Sequence, residues 1–255
     1  MKRLVSLVIV AGALSAPLQV IATEFTQAVV DPQLSVAFVQ RQIEQNMSIG
    51  RAIRSIVGHY PNDTSYVVST ALDLYPEKYK EIIYAAISEQ PMLSEAIVTI
   101  AIEKGISSCS SIVEIAINAE PSYIDFVVTA AANSTPEELN EIVRIAVITA
   151  PDSANYIVQS LAREHPNKIV DIIQSAIGAV PLVGEYVVEA LLAVFPNDAQ
   201  EVVTTAIRES SAQRENVKKI IEKAHNSGIS NIDVETFAMQ GGATKEEVAQ
   251  VLNKH

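Results

Sequence analysis

Residues 121–150 read PSYIDFVVTAAANSTPEELNEIVRIAVITA, and this stretch contains the pattern that decides the fold. It consists of two 15-residue units that begin at Pro121 and Pro136. When the proline is counted as position 0, apolar residues occupy positions 3, 6, 7, 10 and 11, the stripe of an amphipathic α-helix. Proline suits the first turn of a helix, where its missing N–H has no intrahelical partner. Each unit therefore predicts one short helix and a tight turn.

The same unit recurs along most of the chain. Asn46, Ile106 and Ser211 hold the first position of units that lack the proline, so twelve units extend over residues 46–225. A helix this short is marginal alone and must pack against its neighbours in sequence. The pattern predicts an all-α fold, an α-solenoid of about twelve short helices. The prolines that define the spacing are Pro61, Pro76, Pro91, Pro121, Pro136, Pro151, Pro166, Pro181 and Pro196.

Position 5 alternates between two characters, which makes the true repeat a 30-residue pair of helices. Equivalent positions of a solenoid fall in line, so the alternation predicts two rows of side chains. We call the first the aromatic row, interrupted only by Ala96; it comprises Tyr66, Phe126, Tyr156 and Tyr186. We call the second the acidic row, interrupted only by Ser111; it comprises Glu81, Glu141, Asp171 and Glu201.

The first 22 residues have the character of a secretory signal peptide. Lys2 and Arg3 precede the apolar run Leu4–Leu14, which is followed by small residues. Cleavage after Ala16 and after Ala22 compete, and the second is preferred because a proline would follow the first cut. The apolar run is too short to span a membrane comfortably. We expect a periplasmic or secreted protein with no membrane span after cleavage; the alternative is an uncleaved N-terminal anchor.

Both ends of the solenoid are predicted to carry helical caps. Residues 23–45 form the N-terminal helical cap, and residues 226–255 form a C-terminal helical hairpin or cap. In the second segment, Thr244 followed three residues later by Glu247 predicts a capping box. Solenoids need polar terminal units to stay soluble, which favours a cap. The alternative for residues 226–255 is a separate docking module.

Charge and cysteine content restrict the classes of partner. The chain has 30 acidic and 18 basic residues, a net charge of −12, and its longest basic cluster is Lys218-Lys219. We therefore do not expect the chain to bind nucleic acid. The lone Cys109 cannot form an intramolecular disulfide, and the 15-residue period places it in the core, where a thiol is usually inert. A short signal and no disulfide indicate a bacterial envelope protein; the alternative is a eukaryotic secreted protein, in which Asn62 and Asn133 would be candidate glycan acceptors.

No arrangement of residues in the sequence predicts catalysis, a metal or a cofactor. The four histidines, His59, His165, His225 and His255, are far apart, and HExxH and paired-cysteine motifs are missing. The serines around Cys109 are not accompanied by a nucleophile motif. The chain also lacks the tetratricopeptide, ankyrin and HEAT consensus residues. We expect a protein that is not an enzyme.

The sequence thus predicts an exported, non-enzymatic helical-repeat protein that acts as a protein-binding or scaffold module in the bacterial envelope. The expected partner is a protein or an extended peptide, bound by the aromatic row or the acidic row. Each row also has a structural alternative: the aromatic rings serve only to separate adjacent hairpins, and the acidic residues simply belong to a solvent-exposed helix face. Two other functions stay open: a glycan-binding or glycan-processing protein that uses the aromatic row, and a structural subunit that self-associates end to end.

Overall fold

The computed structural model describes residues 34–46 and 48–253, and within them it contains fifteen α-helices and no strand. The signal segment 1–22, both cleavage positions and His255 lie outside the described residues. The helices are α1 (Val36–Gln45), α2 (Ile49–His59), α3 (Thr64–Leu74), α4 (Tyr79–Glu89), α5 (Ser94–Glu103), α6 (Cys109–Ala119), α7 (Ile124–Ser134), α8 (Leu139–Thr149), α9 (Ala154–Glu164), α10 (Ile169–Ala179), α11 (Gly184–Val194), α12 (Ala199–Glu209), α13 (Arg214–Asn226), α14 (Asn231–Gly241) and α15 (Lys245–Leu252).

The helices form two layers. From α2 onward, each helix packs most extensively on a helix two places away along the chain, so α1, α3 and their successors to α15 form one layer, the odd layer. Helices α2, α4 and their successors to α14 form the even layer. Consecutive helices connect the layers and bury the apolar stripes between them. The predicted all-α solenoid of short helices in two-helix repeats is confirmed.

Backbone hydrogen bonds hold the proline turn that links the layers. At the junction of α7 and α8, Thr135 leaves the helical conformation, with φ −138° and ψ 69°, as expected for a residue before proline. Its N–H donates to the Ala131 carbonyl at 2.9 Å. Residues Pro136–Glu138 then form a 3-10 turn, in which the Glu138 N–H donates to the Thr135 carbonyl at 2.9 Å. The same turn opens each unit that begins with proline.

The unit at Ile106 shows what replaces the proline. Gly105 follows the end of α5 with φ +60°, a left-handed conformation that glycine adopts without strain. The Ser108 hydroxyl then accepts from the Ser111 N–H at 3.3 Å and caps α6. A C-terminal glycine and an N-terminal serine thus end one helix and begin the next, so the stacking of the layers continues through this unit.

The core consists of the predicted apolar positions. In α8, Ile142, Val143, Ala146 and Val147 have no exposed surface, and the stripe repeats in the neighbouring helices. Position 10 is alanine in most units, and a small side chain at a contact lets packed helices approach closely. The buried alanines at this position are Ala71, Ala86, Ala101, Ala116, Ala131, Ala146, Ala176 and Ala206.

The C-terminal end departs from the period by one residue. The buried residues Asn216, Val217, Ile220 and Ile221 of α13 lie at positions 5, 6, 9 and 10 of its unit, each one position before the buried positions 6, 7, 10 and 11 of the other units. Beyond it, α14 packs on α12 and α15 packs on α13, so residues 231–252 continue both layers. The predicted capping box is confirmed: the Thr244 hydroxyl accepts from the Glu247 N–H at 3.2 Å, and the Thr244 N–H donates to the Glu247 carboxylate at 2.8 Å.

An ion pair anchors this end. The Arg214 Nε donates to Glu247 Oε1 at 2.6 Å, and Arg214 Nη2 bonds the second carboxylate oxygen. These hydrogen bonds, helped by the Thr244 N–H and opposed by burial, hold the pKa of the Glu247 carboxyl at about 2. Glu247 is buried, whereas the Arg214 side chain is 39% exposed, so solvent screens part of the attraction.

We expect Glu247→Gln to remove a pH-dependent contribution to stability. A carboxyl whose folded-state pKa is depressed stabilises the fold fully above its ordinary pKa of 4.5, and this contribution is lost as the pH falls through about 2. After discounting for screening, the contribution at neutral pH is about 1–2 kcal/mol. Thermal unfolding of the wild type and the variant between pH 7 and pH 2 measures it, with exposed Glu246→Gln as control. Parallel pH curves for the wild type and Glu247→Gln would contradict the assignment.

Candidate functional site

The aromatic row lies on the odd layer, one residue per helix. Phe126 in α7, Tyr156 in α9 and Tyr186 in α11 are 46%, 60% and 52% exposed, whereas Tyr66 in α3 is half-buried against the core. These three exposed rings stand at the same position of three helices that pack side by side. The row is therefore exposed to solvent on α7, α9 and α11, whereas Tyr66 mainly packs against the core.

The exposed rings are separate platforms and not a stack. Phe126 contacts the ring of Tyr123, which lies in the turn before α7 and is not part of the row; their centroids are 5.6 Å apart. No contact between the rings of Phe126, Tyr156 and Tyr186 occurs in the described part of the chain. Packed helices hold equivalent side chains about 8–10 Å apart, too far for stacking. Each ring thus offers its own face to a ligand.

Two further apolar side chains lengthen the row, and sequence reasoning missed both. Met92 is 82% exposed and lies one helical turn before Ala96, where the aromatic residue is missing. Leu182 is 70% exposed and lies one turn before Tyr186. The available signal was an apolar residue at position 1, where other units carry polar residues such as Asn62. The exposed apolar strip therefore extends from the start of α5 to α11.

A cavity of about 280 Å³ lies beside Phe126, between α5, α7 and α9. We call it the row pocket; it is lined by Glu95, Asp125, Phe126, Thr129, Ser160, Arg163 and Glu164. Its three carboxylates face one guanidinium, and none of these four groups is among the ion pairs of the described residues. The pocket is therefore an acidic end of the aromatic row.

The other end of the row is closer to neutral. On α11, Glu185 accepts from Lys219 at 2.9 Å, and Glu189 accepts from Lys223 at 2.7 Å. Both lysines belong to α13, the next helix of the odd layer. The carboxylates of α11 raise the pKa values of the two lysines through these hydrogen bonds. The row is therefore more negative at the row pocket, where the carboxylates are not in ion pairs, than at α11, where lysines pair with the carboxylates.

The acidic row lies on the even layer, so the structure does not bring the two rows together. Three of its four carboxylates have a basic partner three residues away on the same helical segment. Glu81 pairs with Lys78 at 3.4 Å, and Asp171 pairs with Lys168 at 3.0 Å. Arg144 donates two hydrogen bonds to Glu141, at 2.7 and 2.5 Å, and these lower the pKa of Glu141. This pairing weakens the expected continuous negative edge.

The even layer also contains two open cavities with mixed charge. One, of about 450 Å³, is lined by α2, α4 and α6 and includes Arg54, Lys80, Tyr84 and Glu114. The other, of about 500 Å³, lies between α8 and α10 beside Glu141. The first cavity has equal numbers of cations and carboxylates. The second has three carboxylates against one guanidinium, the same excess as the row pocket, but its Glu141 is paired with that guanidinium.

Cys109 and the serines near it have structural partners. Cys109 is buried in α6, and burial raises the pKa of its thiol, the reverse of what a nucleophilic thiolate requires. Thr135 donates to its Sγ at 3.4 Å. The nearby Ser111 hydroxyl lies 3.1 Å from the Tyr79 hydroxyl, across the even layer. Residues 34–46 and 48–253 contain no group of three His, Cys, Asp or Glu side chains placed to hold a metal ion.

None of the helices within residues 34–46 and 48–253 has both the length and the apolar character needed to cross a membrane. The chain matches no family model, and no significant match is found among curated proteins or among solved structures. Function must therefore be argued from the surface of the molecule itself.

Proposed function

We propose that this chain is an exported, non-enzymatic helical-repeat protein that works as a protein-binding or scaffold module of the bacterial envelope. Its partner is an extended polypeptide segment that lies along the aromatic row. The observation that carries the proposal is the exposure of Phe126, Tyr156 and Tyr186 at one repeated position of three neighbouring helices.

The regular placement of these rings is what favours binding. Single exposed apolar side chains are common on soluble proteins and need no explanation. Here, three exposed aromatic rings instead repeat at one position of neighbouring helices, and exposed Met92 and Leu182 each lie one helical turn before that position. Tyrosine supplies a large, stiff contact area and a hydroxyl for hydrogen bonds, and aromatic residues dominate binding energy at interfaces. The strip is therefore suited to a long, narrow partner.

The remaining parts of the proposal have separate support. The signal-like composition of residues 1–22 supports export to the periplasm or the medium. The buried thiol of Cys109 and the use of Ser108 as a helix cap support a role without covalent catalysis. The two layers expose different surfaces, aromatic on one and mixed in charge on the other, and this division suits a scaffold that holds more than one partner.

A displayed library of random peptides tests the proposal. We expect selection on the wild-type chain to yield peptides that lose binding when Phe126, Tyr156 and Tyr186 are replaced together by alanine. A loss of about 30-fold in affinity corresponds to removal of aromatic anchors. The matched control is Tyr84→Ala, which removes an exposed tyrosine from the even layer and leaves binding unchanged.

Circular dichroism first confirms that the triple variant has the helical content of the wild type. Peptides that bind the triple variant as tightly as the wild type would move the site away from the aromatic row. Oligosaccharides that bind through the row, with no peptide selected, would favour the glycan-binding alternative.

A further inference from the structure

The spacing of the aromatic row specifies the conformation of the bound segment. Packed helices typically lie about 8–10 Å apart. Because α7, α9 and α11 are packed neighbours, we expect Phe126, Tyr156 and Tyr186 to repeat at about that interval. In an extended β-strand, side chains on one face repeat about every 6.6–6.8 Å. In a polyproline II helix, every third residue faces the same way, at a repeat of about 9.3 Å. The ring spacing fits the polyproline II repeat and exceeds the β repeat.

The backbone of the odd layer excludes another common mode of peptide binding. Peptides that add a strand to a sheet need an unpaired edge of N–H and C=O groups. In α7, α9 and α11 these groups are already paired within helices, and no strand occurs in the described residues. A ligand here is held by its side chains and by hydrogen bonds from tyrosine hydroxyls. A polyproline II segment suits this mode, because it is preformed and its carbonyls are free to accept.

The row pocket specifies the charge at one end of the ligand. Glu95, Asp125 and Glu164 outnumber Arg163 there, and none of the four belongs to an ion pair of the described residues. At the opposite end of the row, Lys219 and Lys223 already neutralise the carboxylates of α11. A basic side chain on the ligand is therefore attracted to the α5–α7 end.

We infer that the aromatic row binds a proline-rich segment in the polyproline II conformation, with a lysine or arginine of that segment in the row pocket. Successive prolines, three residues apart, contact Phe126, Tyr156 and Tyr186. This inference rests on the proposed function, because it takes the row as the partner surface.

The test uses three synthetic peptides of about ten residues, long enough to cover the row at about 3.1 Å per residue. The first has proline at every third position and an arginine at one end. The second has the same composition with the prolines placed out of period. The third is proline-free and alternates valine and threonine, so that it favours a β conformation. Fluorescence anisotropy measures the affinity of each peptide for the full chain.

We expect the first peptide to bind and the second to bind about 10-fold more weakly, because two of its prolines miss their rings. Replacing Tyr156 and Tyr186 by alanine weakens the first peptide about 30-fold, and Tyr84→Ala leaves it unchanged. Asp125→Asn weakens it about 5-fold, and this loss disappears when the peptide arginine is replaced by glutamine.

The outcomes separate the inference from the proposed function. Row-dependent binding of the alternating peptide, without binding of the periodic proline peptide, overturns the polyproline II conformation and leaves the row as the partner surface. Library peptides that need the row but lack a three-residue period do the same. An equal loss from Asp125→Asn with arginine and glutamine peptides overturns the basic-end assignment. Absence of row-dependent binding in both the library and the designed peptides overturns the inference and the proposed function together.

Discussion

Replacing Ile157 by alanine lowers the free energy of unfolding by about 3–4 kcal/mol, whereas replacing its neighbour Tyr156 by alanine changes it by less than about 1 kcal/mol. Ile157 has no exposed surface in α9, and Tyr156 is 60% exposed on the same helix. Truncating Ile157 removes apolar atoms from the core and leaves a cavity that the packed helices close only in part. Truncating Tyr156 removes atoms that already face water.

Urea unfolding followed by circular dichroism measures both changes, and the slope of the transition checks that the unfolded states are comparable. The pair also separates stability from binding, because we expect Tyr156→Ala to weaken peptide binding while the fold stays intact. Equal destabilisation by the two variants would contradict the orientation of α9 that buries Ile157 and exposes Tyr156.

The contrast between these adjacent residues was readable from the sequence. Tyr156 and Ile157 stand at positions 5 and 6 of their unit, and the helical stripe assigns position 6 to the core. Because the stripe repeats every 15 residues with a proline at the start, the period fixes where most helices begin and which face they bury. The units of α2 and α6 stay in register without a proline, but the unit of α13, which also lacks one, does not. There, the buried stripe is one residue out of register.

The candidate site was readable only in part. The period aligns Phe126, Tyr156 and Tyr186 on one layer because equivalent positions stack. The pairing of Glu141 with Arg144 could also have been found, since residues three apart share a helix face. The row pocket could not. Glu95 and Asp125 share position 4 of their units, so the period aligns them, but Glu164 stands at position 13 of its own unit. Only the packing of α5, α7 and α9 brings all three carboxylates to one cavity.

A glycine-to-alanine change gives opposite results at two positions of the even layer. Gly241 ends α14, where an added Cβ would lie 2.8 Å from both the Thr204 carbonyl oxygen and the Ile207 Cβ of α12. Neither atom is the end of a flexible side chain, so the two helices must separate. The Thr204 hydroxyl also donates to the Phe237 carbonyl at 3.3 Å, and separation lengthens this bond. We expect Gly241→Ala to lower the free energy of unfolding by about 2–3 kcal/mol.

Gly178→Ala is the matched control, because Gly178 lies in α10 with nothing within 4 Å of an added Cβ. Alanine is the better helix former and restricts the unfolded chain, so this variant gains up to about 1 kcal/mol. Thermal unfolding gives the sign for each variant, and amide hydrogen exchange shows where the loss occurs. In a solenoid each helix pair contacts only its neighbours, so Gly241→Ala loses protection first in α14 and α15. A stabilised Gly241→Ala variant would contradict the close approach of α14 to α12, and with it the extension of the even layer to the end of the described chain.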